Sequence, residues 1–186
     1  MKNILAVFFM TGFLTLLAEN SGTFDAPLRI SLPNKSWALQ LSASGFTIRM
    51  NGPKASGRWG LLAENGVSVI SVTLEQVSKA ANLSTCRDDI LRRGHPQGLY
   101  TVKGSKLKQR GDMLILEYTI EELQGQSINE KNVRACLPKD DVYIDIHLSK
   151  ASFEPADQAK LDAILDSVRI VANPSKEGEV QVGYKR

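Results

Sequence analysis

The sequence predicts an α+β fold, mainly an antiparallel β-sheet flanked by helices. Three observations support this class. Many segments alternate apolar and polar residues with a period of two, as half-buried strands do. Short turn signals such as Asn-Gly join neighbouring segments, which favours antiparallel pairing. Only two segments show helical spacing. With 186 residues, of which 42% are hydrophobic, the chain can build one domain with its own core.

The N-terminal residues have the features of an export signal. Lys2 precedes an almost uninterrupted apolar run over residues 4–18. This run of about 15 residues is short for a bilayer span, which takes roughly 20. We therefore predict a signal peptide over residues 1–18 and an exported protein, periplasmic or extracellular. An uncleaved membrane anchor is the alternative. The acceptor patterns at Asn34 and Asn82 matter only if the producing cell glycosylates.

The first half of the chain predicts a series of strands. A loosely ordered lead-in over residues 19–35 includes an edge strand at 28–32, and a single α+β domain follows over residues 36–172. Alternation predicts a strand at 37–41 and another at 46–50, whose residues Phe46, Ile48 and Met50 share a face. Further strands are predicted at 58–63 and 67–77, with a turn at 64–66.

The second half mixes both kinds of element. Thr85 and Asp88 have capping-box spacing, which predicts a short helix that ends at Gly94. Weak strands at 98–102 and 106–109 precede clearer ones at 113–123, 133–137 and 142–148. Pro155 opens a second helix. Its apolar stripe is predicted to pack on one face of the last strand, and the residues involved are Leu161, Ile164, Leu165 and Val168 against Val142, Ile144, Ile146 and Leu148. A mobile polar tail is expected over residues 173–186.

The chain contains two cysteines, Cys86 and Cys136. An even number of cysteines in an exported chain favours a disulfide, which would close a loop of about 50 residues. Two buried free thiols or a two-cysteine metal site are the alternatives. No nearby histidine or cysteine completes the spacing of a metal site, so no metal is predicted.

One pair of residues suggests catalytic chemistry. Asp145 and His147 lie two apart on the polar face of the predicted strand 142–148, where the carboxylate could orient the imidazole. This pair is the basis of a hydrolase-type hypothesis. The alternative is a solvated or helix-covered pair on a sheet face. The sequence contains no Gly-x-Ser-x-Gly elbow, Walker A motif or Gly-x-Gly-x-x-Gly motif, so no cofactor is predicted.

Positive charge is concentrated in residues 87–110, here called the basic segment. The formal net charge of the chain is only +3. This segment could bind an anionic surface, including a membrane surface, or an acidic partner. The alternative is a solvated helix face and an edge strand protected by lysines. Few aromatic residues interleave the charges, so no nucleic acid partner is predicted. Its seven cations are Arg87, Arg92, Arg93, Lys103, Lys106, Lys108 and Arg110.

Two stretches resemble a known superfamily. They are Leu-Pro-Asn-Lys-Ser-Trp at 32–37, followed by Gly-Phe-Thr-Ile at 45–48, and the terminal helix that ends in Ser-Val-Arg at 167–169. This pattern resembles exported bacterial proteins of unknown function. The helix is similar to the last helix of the superfamily that includes the photosystem subunit PsbP and the Ran-binding protein Mog1. The resemblance implies a PsbP/Mog1-like α/β/α sandwich and a largely non-catalytic protein that binds or assembles partners.

The leading functional hypothesis is an exported, non-enzymatic binding or accessory domain whose partner is an unknown protein or an anionic surface ligand. The hydrolase and the membrane-surface protein are the two alternatives.

Overall fold

The computed structural model describes residues 27–54, 58–94, 100–173 and 180–182. The predicted signal peptide and residues 19–26 of the predicted lead-in lie outside these residues. The helices and strands in chain order are β1 (Leu28–Ile30), β2 (Trp37–Leu41), β3 (Thr47–Lys54), β4 (Arg58–Asn65), β5 (Ser68–Gln76), α1 (Leu83–Gly94), β6 (Tyr100–Arg110), β7 (Met113–Leu123), β8 (Gln126–Lys139), β9 (Val142–Lys150), α2 (Gln158–Asp166), β10 (Arg169–Ala172) and β11 (Val180–Val182).

The strands form two antiparallel sheets. A seven-stranded sheet has the order β3-β4-β5-β9-β8-β7-β6, and a four-stranded sheet has the order β10-β2-β1-β11. Both the mainly antiparallel sheet and the small helical content agree with the predicted class. Strand β1 pairs with β2 on one side and β11 on the other, so it is not the edge strand that the sequence predicted. Strand β1 precedes the predicted domain range of 36–172, and β11 lies within the predicted tail.

One face of the seven-stranded sheet, here called the inner face, carries the main core. The alternate residues of β5 and β9 point into it and are fully buried, as their period of two requires. The four-stranded sheet and α2 cover this face, and their apolar residues belong to the same cluster. The inner-face residues of these two strands are Ile70, Val72, Leu74, Val142, Ile144, Ile146 and Leu148.

The opposite, outer face carries α1. This helix packs on β7 and β8 through a second cluster that includes Ile90 and Leu116. A disulfide joins Cys86 of α1 to Cys136 of β8, with 5.7 Å between the two Cα atoms. Both cysteines are buried, so the bridge fixes the helix to the sheet from within the cluster. The predicted pairing is present in the structure.

Helix α1 begins earlier than the sequence predicted. Asn82 caps it: its Oδ1 accepts a hydrogen bond from the backbone N–H of Thr85 at 3.0 Å. The backbone N–H of Cys86 bonds the Asn82 carbonyl at 3.1 Å and closes the first turn. Thr85 therefore lies inside that turn, and the predicted capping box of Thr85 and Asp88 is wrong.

Two register shifts account for two of the errors in strand assignment. The register shifts between Ile48 and Met50, so Met50 pairs with Leu62 and turns away from the core face that Ile48 occupies. Met50 is consequently exposed. The two weak strands predicted at 98–102 and 106–109 are one strand, β6, with irregular pairing between Lys103 and Lys106. Gly104 adopts a φ of +68° within this irregularity.

The second helix follows the prediction closely. Pro155 begins a 3-10 turn at Pro155–Asp157, and Glu154 and Asp157 cap it reciprocally. Leu161 and Leu165 are buried in the inner-face core together with residues of β9. Ile164 differs, because it is only half-buried at the border of that core.

Candidate functional site

The structure places the predicted Asp145 and His147 on the outer face of β9, and each has its own partner on β8. Asp145 Oδ2 lies 2.6 Å from Arg134 Nη2 in an ion pair whose two side chains are largely buried. His147 Nε2 lies 2.8 Å from Asn132 Oδ1. Asn132 Nδ2 donates to the Glu130 carbonyl at 3.2 Å, so its Oδ1 faces the imidazole and Nε2 must be the donor.

Burial and charge keep the imidazole neutral. The pKa of His147 is lowered to about 4: burial is the main cause, the positive charge of Arg134 adds to the lowering, and Asp145 partly opposes both effects. At pH 7 the ring is therefore a neutral donor to Asn132. Ser71 of β5 lies directly opposite His147, but no hydrogen bond joins the two within the described residues. The hydrolase hypothesis stays a prediction.

The cations of the basic segment are divided between the two faces of the sheet. Arg87 and Arg92 lie on α1 over the outer face, and Arg92 forms an ion pair with Asp89. The side chain of Arg93 lies outside the described part of the chain. The remaining four cations lie on the edge strand β6, so the six cations whose side chains are described do not form one surface.

Several β6 cations are paired with carboxylates on the inner-face side. Lys103 Nζ lies 3.0 Å from Glu121 Oε1, and Lys108 forms an ion pair with Glu117. The guanidinium of Arg110 forms ion pairs with Asp162 and Asp166 of α2. Lys106 is exposed beside them. These ion pairs reduce the net positive charge of β6. The strand lies at the edge of the seven-stranded sheet, as the alternative interpretation of an edge strand protected by lysines requires.

A cleft of about 460 Å³ opens between the β4–β5 turn, the end of β9 and α2. Ligand pockets in proteins commonly have volumes of about 300–1,000 Å³. The floor is apolar and continuous with the core, and the rim is polar. The floor residues are Phe46, Ile70, Leu148, Leu161 and Ile164. The rim residues include Ser42, Asn65, Ser149, Lys150, Asp157 and Lys160.

The charged part of the rim is centred on Asp157. Its Oδ2 accepts from the Glu154 backbone N–H at 3.2 Å and lies 3.4 Å from Lys150 Nζ. Its Oδ1 lies 3.4 Å from Lys160 Nζ. The backbone donor and the two lysines hold the pKa of Asp157 below its ordinary value, against burial, which acts to raise it. Two ammonium groups therefore share one carboxylate at the rim.

Sequence reasoning did not find this cleft. Its walls come from four separate stretches, at residues 42–46, 65–70, 148–150 and 157–164. Each stretch reads on its own as part of a turn, a strand or a helix. Val67, which follows Gly66 of the β4–β5 turn, also lines the cleft and is 53% exposed.

A wider hollow of about 610 Å³ lies at the other end of α2, where Asp112, Met113 and Arg169 border it. Its wall also includes Arg110 and Asp166, which are paired with each other.

Within the described residues, no group of three or more His, Cys, Asp or Glu side chains is placed to hold a metal ion. Across the same residues, no helix combines the length and apolar character that crossing a bilayer requires. No protein-family model matches this sequence, and no curated protein matches it.

Proposed function

We propose that this protein is an exported, non-enzymatic binding domain whose ligand occupies the cleft between Phe46 and α2. The cleft is the observation that carries the proposal, because an apolar floor with a few convergent polar groups is the usual form of a small-molecule site. The disulfide between Cys86 and Cys136 supports export, since such bonds form and persist in oxidising compartments.

The PsbP/Mog1-like resemblance belongs to the same proposal. Helices α1 and α2 lie on opposite faces of the seven-stranded sheet, which supports an α/β/α arrangement. The four-stranded sheet shares the inner face with α2, and the cleft lies at the border of this layer. A binding role also agrees with what the resemblance implies about function.

The neutral fluorescent probe N-phenyl-1-naphthylamine provides the test, because its emission rises when it enters an apolar site. We expect saturable binding at one site per chain. Ala163→Trp places a large side chain at the cleft wall from an exposed helix position and should abolish binding. Ser84→Trp is the matched control, because Ser84 is exposed on α1 over the outer face.

Both variants are first compared with the unaltered protein by urea unfolding, so that a folding defect is recognised. Binding lost in Ala163→Trp and kept in Ser84→Trp supports the cleft as the site. The proposal fails if the protein shows no saturable emission change, or if both tryptophan variants bind the probe as well as the unaltered protein does.

A further inference from the structure

We infer that the ligand is a small lipophilic carboxylate: an apolar chain with one anionic head group. Its apolar body would lie on the cleft floor, and its carboxylate would bind at the rim lysines. This inference rests on the proposed function, since it names the ligand class of the same cleft. It combines the two kinds of surface that the cleft presents.

The floor favours an apolar body. Ile70 and Leu148 are fully buried and Leu161 is 4% exposed, so the floor is the border of the main core. Phe46 and the half-buried Ile164 complete this floor. A hydrocarbon chain placed here removes its own apolar surface from water, together with the exposed parts of Ile164 and of Val67 in the cleft lining, and that transfer is favourable in proportion to its area.

The rim favours an anionic head group. Lys150 and Lys160 share the single carboxylate of Asp157, which leaves one positive charge uncompensated at the edge of the apolar floor. Lys150 is held in place, because its side chain is 15% exposed and its Nζ donates to the Ala151 carbonyl at 2.8 Å. A monoanion would balance the charge at this rim.

Lys160 is the lysine that can move to meet the ligand. Its side chain is 80% exposed and its contact with Asp157 is long at 3.4 Å. Exposed ion pairs of this kind contribute little to stability, so little opposes a change of partner. Its ammonium has three donors, and a ligand carboxylate next to the apolar floor would accept a charge-assisted hydrogen bond. Ser149 and Asn65 add neutral polar groups at the same rim.

Three ten-carbon amphiphiles with different head groups test the inference by isothermal titration calorimetry. They are decanoate and decyltrimethylammonium, used below their micelle concentrations, and decanol, used below its solubility limit, all at pH 7.5, where decanoate is ionised. We expect decanoate to bind about tenfold more tightly than decanol, and the cation to bind most weakly. This order follows from the extra positive charge at the rim.

Lys160→Met keeps the apolar stem and removes the charge. It should lower decanoate affinity about three- to tenfold and leave decanol affinity unchanged. Lys106→Met is the matched control at an exposed lysine on β6, and it should change neither. Asp157→Asn removes the competing carboxylate and should raise decanoate affinity. That gain is not expected if Asp157 serves only to cap the helix.

The outcomes separate this inference from the proposed function. Equal affinities for decanoate and decanol, both unaffected by Lys160→Met, overturn the head-group assignment and leave cleft binding intact. Probe binding without any decanoate binding also overturns it. A failure of all three amphiphiles and of N-phenyl-1-naphthylamine overturns the proposed function together with the inference.

Discussion

Leu165 of α2 provides a direct test of how the inner face is covered. Its side chain is 1% exposed in the cluster that both sheets and α2 share. Leu165→Ala removes three carbon groups, which at about 0.8 kcal/mol each accounts for roughly 2.4 kcal/mol of lost transfer free energy. The two sheets flanking this position limit collapse, so a cavity penalty adds to that loss. We expect a total destabilisation of about 3–5 kcal/mol.

Alanine substitutions at two neighbouring positions of the same helix provide a comparison for this loss of stability. Ile164 is half-buried at the cleft, so Ile164→Ala should cost about 1–2 kcal/mol. The side chain of Asp166 is 63% exposed and pairs with Arg110, so Asp166→Ala should cost at most about 1 kcal/mol.

Unfolding in urea measures the free energy of unfolding of all three variants relative to the unaltered protein. Thermal unfolding should show a Tm about 6–20 °C lower for Leu165→Ala, since each kcal/mol shifts the Tm of a chain of this size by about 2–4 °C. Equal losses for Leu165→Ala and Asp166→Ala would show that α2 is not docked on the inner face. A loss for Ile164→Ala as large as that for Leu165→Ala would contradict the burial gradient along the helix.

Three further predictions concern the disulfide and two buried titratable groups. Replacing both Cys86 and Cys136 with alanine should lower the free energy of unfolding, measured in urea, by about 4 kcal/mol, because the bridge closes a loop of 50 residues and so restricts the unfolded chain. A loss below about 1 kcal/mol would contradict this explanation. The pKa of His147 is lower in the folded chain than its ordinary 6.5, so the free energy of unfolding should fall as the pH drops from about 6.5 towards 4. His147→Gln should flatten that dependence when unfolding in urea is measured at pH 7 and pH 4.5. A flat profile in the unaltered protein would argue against the buried imidazole. Burial acts to raise the pKa of Glu117, but its two lysine partners hold it below its ordinary 4.5. Glu117→Gln should therefore cost about 1–3 kcal/mol at pH 7 and progressively less as the pH falls below 4.5. A cost that does not decrease as the carboxylate is protonated would show that its charge is not what stabilises the site.

Much of the fold could be predicted because burial on one face imposes a period of two on the sequence. Strand β9 is the clearest case, where every second residue from Val142 to Leu148 is fully buried. The same pattern could not reveal the bulge before Met50. One extra residue in the strand reverses the faces on which all later side chains lie, and the sequence carries no signal of that extra residue. The helix start at Asn82 was missed since Thr85 offers a similar capping pattern three residues later.

The candidate site was less accessible to sequence reasoning. Asp145 and His147 were correctly placed on one strand face, but their cross-strand partners, Arg134 and Asn132, depend on the register between β8 and β9. Local spacing does not determine that register. The cleft also depends on how four stretches that are distant in sequence pack together. Nothing in the local sequence distinguishes Lys150 and Lys160 from ordinary surface lysines.

The four-stranded sheet has a consequence for the order in which the chain can fold during synthesis. Its inner strands, β1 and β2, precede every strand of the large sheet in the chain, whereas their outer partners, β10 and β11, follow every strand of that sheet. Leu28 pairs with Val182, about 150 residues later. The large sheet can form before then, but its apolar inner face stays uncovered until α2 and β10 follow. Contacts of such long range slow folding and prolong exposure of the core. We therefore expect the chain to remain open, and to need protection from aggregation, until the residues of β10 are available to complete the small sheet.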